Sequence, residues 1–108
     1  MENQSPFLAM QRVEGQLKGL LRTLDADLLD VETKKAVSSL KRLAVDTRLD
    51  IRDYELSETR AEQQKCAVVA KRNLARLRTA ILAVSSLFSP ADVAQLTAQF
   101  EHIESRVL

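Results

Sequence analysis

The sequence predicts an all-α fold, most simply a four-helix antiparallel bundle. Three observations predict it. Apolar residues recur at three- and four-residue spacing along most of the chain, the period of a helix with one buried face. Only two glycines and two prolines occur in 108 residues, so turns are few and helices long. No stretch alternates apolar and polar residues with the period of a half-buried strand.

The first helix is expected over residues 6–24. Ser5 supplies the N-cap and Pro6 the first turn, where its missing N–H costs nothing. Met10, Val13, Leu17, Leu20 and Leu24 then form one apolar stripe. Gly15 and Gly19 lie on a different face, with Leu8 above them. A helix-interior glycine costs about 1 kcal/mol relative to alanine. Two such costs on one face favour a surface that another backbone approaches closely, by analogy with small-residue packing in membranes.

Residues 25–30, DADLLD, read as a connection, with Asp27 or Asp30 capping the next helix. The second helix is expected over 31–55. Its main stripe is Ala36, Val37, Leu40, Leu43, Ala44, Ile51 and Tyr54. A thinner stripe of Val45, Leu49 and Leu56 lies opposite. A helix apolar on two sides is sandwiched by neighbours, in its own chain or in a partner.

Thr59 and Glu62 have capping-box spacing and open a third helix, expected over 60–88. Cys66, Ala70, Leu74, Leu77, Ile81, Val84 and Phe88 fall within an arc of about 80° at 100° per residue. Neither Gly nor Pro occurs between Asp30 and Phe88, so an alternative organisation makes helices two and three one continuous rod. A break near Leu56–Thr59 is favoured. Ser89-Pro90-Ala91-Asp92 is the clearest helix start and opens a fourth helix over 90–107. Val93, Leu96, Phe100, Ile103 and Val107 form its stripe; the small residues Ala91, Ala94 and Ala98 lie opposite and offer a second close-packing face.

This length and composition fit one helical domain, residues 1–108. The net charge of +1 gives no whole-chain reason to bind nucleic acid. Its distribution is uneven: residues 61–82 carry +4 and residues 1–33 carry −3. On the third helix Lys65, Arg72 and Arg76 share one face, and Lys71 and Arg78 another. They form an anion-binding surface in one reading and a solvated face balancing the acidic first helix in the other.

One cysteine excludes an intrachain disulfide and a cysteine metal cluster. Cys66 reads as a small core hydrophobe. His102 is the lone histidine, and Arg106 stands where a second strong ligand belongs, so no metal site is expected. No phosphate-cradling loop or nucleophile elbow occurs; no catalytic residue and no cofactor are assigned. The longest uncharged run is too short to span a bilayer, and the N-terminus has no signal-peptide core. A cytoplasmic location without membrane contact is the expectation.

Arg12-Val13-Glu14-Gly15-Gln16-Leu17-Lys18-Gly19-Leu20-Leu21-Arg22 resembles the first-helix motif of the copper-sensing repressor family, which includes nickel/cobalt- and formaldehyde-responsive repressors. Asp30-Val31 followed by Thr33 is similar to the start of that family's second helix. The resemblance spans residues 10–56. It implies a small all-helical oligomer that binds operator DNA without a helix-turn-helix, with Arg12 and Lys18 as first candidates for phosphate contact. The family's metal ligands are absent: Leu28-Leu29 stand near the position of its first cysteine, and Tyr54 and Glu58 replace its histidine and second thiol.

The leading functional expectation is a non-catalytic regulatory or adaptor bundle, homodimeric and acting through protein contacts. The alternative is a DNA-binding regulator like those repressors but without their metal site. A third is a small all-helical enzyme on an anionic substrate.

Overall fold

The computed structural model describes residues 5–107, and helix α1 (Pro6–Arg22) opens where local chemistry places it. The Ser5 hydroxyl accepts the Leu8 N–H at 3.1 Å. Thr23 ends the helix by donating its hydroxyl to the Leu20 carbonyl at 2.7 Å, so α1 stops short of Leu24.

Asp25 caps a short 3-10 turn, Ala26–Leu28, within the expected connection. Asp30, rather than Asp27, caps α2 (Val31–Leu56), accepting the Thr33 N–H at 2.7 Å. Hydrogen bonds from the Thr33 side chain and backbone hold the Asp30 carboxyl below the usual carboxylate range.

Helices two and three are separate elements, not one rod. Ser57 is extended and donates its hydroxyl to the Asp53 carbonyl at 2.8 Å, and α3 (Arg60–Ala83) begins after Thr59. The Thr59 hydroxyl accepts the Glu62 N–H at 3.1 Å, as the capping spacing requires. The chain therefore turns without glycine or proline, using two hydroxyl side chains that compete with the helical backbone.

α3 ends at Ala83, earlier than expected. Val84 leaves the helical region, and Ser85–Leu87 forms a 3-10 turn before Ser89 caps α4 (Pro90–Ser105). A β-branched residue followed by two serines is a poor helix continuation. Phe88 still packs against the core from outside the helix, which is why the apolar period runs past the helix end.

The helices pair antiparallel in the cycle α1–α2–α3–α4–α1. Phe7 meets Glu55 and Glu14 meets Arg48, so each step along α1 is matched by a step back along α2. Asp50 meets Asn73 and Ser57 meets Cys66 in the same way across α2 and α3. Met10, Leu40, Ile51, Leu77 and Ile81 are fully buried along the axis, with Phe100 and Ile103 closing the α4 side. Each such side chain contributes about 1.5–3 kcal/mol by leaving water. Truncating one, as in Leu77→Ala, costs about 3 kcal/mol because the packed neighbours cannot close the gap. Among the described residues no helix is long and apolar enough to cross a membrane.

Candidate functional site

The four core stripes leave four outer faces, and the charged residues divide unequally among them. Arg48 turns toward α1, where its Nε lies 2.6 Å from Glu14 Oε1. That contact fixes which flank of α2 borders α1. At 100° per residue, Lys34, Lys41, Arg48 and Arg52 lie within about 40° of one another on this flank. Lys18 and Arg22 lie about 40° apart on the facing flank of α1. Together they form two basic rows along the α1–α2 seam. From Lys34 to Arg52 the α2 row runs roughly 27 Å at 1.5 Å per residue.

One acid of this seam, Glu14, pairs with two members of the rows and leaves the seam net positive. Glu14 is buried beneath them, 5 % exposed, with Lys18 Nζ at 3.4 Å and Arg48 above it. Glu55 sits at the end and accepts the Phe7 backbone N–H. Arg52 comes no nearer than 4.0 Å to Asp53. Among the described residues, Arg22, Lys34 and Lys41 form no ion pair within 4.0 Å. Lys18 in this set is among the residues expected from sequence; the α2 row is not, although its spacing of seven, seven and four residues was available as a signal.

The basic residues expected on α3 are split by the fold. Arg78 turns to α4, with its Nη1 3.4 Å from Glu104 and 3.9 Å from Glu101. It is an internal tie across the α3–α4 seam. Lys65 lines a notch with Asp50 and Asp53. Arg72 and Arg76 border a shallow hollow floored by Ala75, Ala80 and Ala83. Lys71 is half-buried on the flank that Arg78 shares. Arg12 lies toward α4, away from the basic rows.

Gly15 and Gly19 are exposed, and nothing in the chain lies within 4 Å of where a Cβ would stand on either. Within one subunit, no backbone approaches them closely. Ala91, Ala94 and Ala98 are likewise exposed on the outer side of α4. The second stripe of α2 is uncovered: Val45 and Leu49 are half-exposed and Leu56 is 69 % exposed. Val31, 65 % exposed, lies on the same side at the start of the helix, with Ser38 and Arg42 between.

Among the described residues no group of three or more His, Cys, Asp or Glu could hold a metal ion. No protein-family model matches the chain, and neither a curated protein nor a solved structure matches it significantly.

Proposed function

We propose that this chain is a non-catalytic helical-bundle protein that acts by contact, as a homodimer joined along the outer ridge of α2, in a regulatory or adaptor role. The observation that carries this reading is the uncovered apolar patch Val45, Leu49 and Leu56 on the C-terminal half of α2. A second copy of the same ridge, antiparallel across a two-fold axis, buries it in the manner of a short coiled coil. Sedimentation equilibrium tests the reading. The parent chain is expected to be dimeric at about 100 µM, and Leu49→Glu monomeric. A monomeric parent overturns it.

A second reading is favoured by the basic rows and by the resemblance of residues 12–22 to the copper-sensing repressor family. Lys18, Arg22, Lys34, Lys41, Arg48 and Arg52 suit the phosphates of a nucleic-acid backbone. If all six bind duplex DNA, the logarithm of affinity falls with the logarithm of salt at a slope of about −5. Fluorescence anisotropy with mixed-sequence duplex at about 50 mM salt, where phosphate contacts are strong, reads this directly. Absence of binding there removes the reading.

A further inference from the structure

At 100° per residue Glu14 falls about 40° from Met10 on α1, at the edge of the core stripe and beneath the α1–α2 seam. It is buried, and a buried carboxylate persists only where charge compensates it. Two members of the basic rows do so. Arg48 brings its Nε to 2.6 Å from Oε1, and Lys18 its Nζ to 3.4 Å from Oε2. These cations stand on different helices and in different rows, so one carboxylate ties the two rows together. Arg48 Nε is closed to solvent, yet the Arg48 side chain stays 27 % exposed. Its exposure therefore falls on its other atoms, while the Lys18 side chain is 55 % exposed. Arg22, Lys34 and Lys41 have no such anchor among the described residues.

We infer, resting on the nucleic-acid reading above, that Glu14 is a positioning residue for phosphate contacts along this seam. It holds Arg48 and Lys18 in place before the anion arrives. Arginine and lysine carry much side-chain entropy, and a free one loses it when it clamps an anion. A cation already held loses less, which is preorganisation. Against this stands one negative charge beneath the anion. In water, repulsion over about 6 Å weakens binding by about threefold. The sign of the Glu14 effect therefore separates two roles. Plain charge predicts tighter binding when Glu14 is removed; positioning predicts weaker binding.

Fluorescence anisotropy of the full chain with mixed-sequence duplex DNA at about 50 mM salt tests this, using Glu14→Leu and Glu14→Asp. Glu14→Leu suits the buried position but holds neither cation. It is expected to weaken binding by about tenfold and to reduce the salt slope from about −5 to about −3.5, as two contacts are lost. Glu14→Asp keeps the charge and draws the carboxylate back by one methylene. It is expected to weaken binding in the same direction, where plain charge predicts no change. Urea titration checks that each variant is folded under the binding conditions. Without any ligand, NMR relaxation reads the anchor itself. The order parameter of the Arg48 Nε–H is expected near the roughly 0.85 of rigid backbone, and that of Arg52 below about 0.6. A parent that does not bind removes the nucleic-acid reading and this role with it. A parent that binds, with Glu14→Leu binding as tightly or more tightly, overturns the positioning role alone. An Arg48 side chain as mobile as Arg52 in the free chain also overturns it.

Discussion

Glu14 Oε1 and Arg48 Nε stand 2.6 Å apart between α1 and α2, and neither atom's neighbours complete a well-aligned hydrogen bond for Glu14 Oε2 or Arg48 Nε. The pair is thus close in charge but incomplete in hydrogen bonding. Removing only the cation strands a buried carboxylate, which is the costly half of breaking such a pair. Arg48→Met is expected to lower stability by about 2 kcal/mol, Lys18 retaining part of the compensation. Adding Glu14→Leu is expected to bring stability back to within about 1 kcal/mol of the parent, since an apolar pair carries no desolvation cost. Urea unfolding of the parent, both single variants and the double variant measures the coupling.

The starts of all four helices were legible in the sequence because capping is chemistry within three residues. Ser5, Asp30, Thr59 and Ser89 each accept the N–H that their spacing implies. The end of α3 was not. Phe88 keeps the apolar period while the backbone has already left the helix, so the pattern of burial outruns the helix. Buried Glu14 was hidden because its tolerance depends on Arg48, far along the chain on another helix. The small-residue faces were legible as faces, but spacing alone does not say what approaches them. The partners of Arg78 were not legible for the same reason: they are the acids of α4, which helical periodicity on α3 does not contain.

Gly15 and Gly19 have open space where a side chain would begin. Gly15→Ala and Gly19→Ala are each expected to raise stability by about 0.5–1 kcal/mol, because helix propensity improves and nothing is displaced. The paired change Gly15→Leu with Gly19→Leu is expected to keep the proposed dimer, whose contact the proposal puts on α2. Thermal melts and sedimentation equilibrium report the two effects separately. A more stable but monomeric double variant places the second subunit on α1 instead.

Thr97 Oγ1 on α4 is also buried without a hydrogen-bond partner. Its burial costs free energy that a methyl group of the same shape does not. Valine and threonine have similar helix propensities, so the substitution isolates the hydroxyl. Thr97→Val is expected to raise unfolding stability by about 1 kcal/mol in urea titration, with the midpoint shifted and the slope unchanged. A loss of stability shows that the hydroxyl finds a partner, such as an ordered water, in solution.

Asp30 gives the chain a defined response to acid. Its carboxyl is held below the usual range by the Thr33 side-chain and backbone hydrogen bonds, so the folded state binds that proton less readily than the unfolded state. The contribution is therefore fully present above the ordinary Asp range and is lost as pH falls through the lowered folded value. Asp30→Asn keeps an N-cap acceptor but removes the charge that favours the positive end of α2. The parent is expected to melt higher than Asp30→Asn at neutral pH. The two melting temperatures should converge as pH drops below the ordinary carboxylate range. A gap that persists unchanged in acid would assign the difference to cap geometry instead of charge.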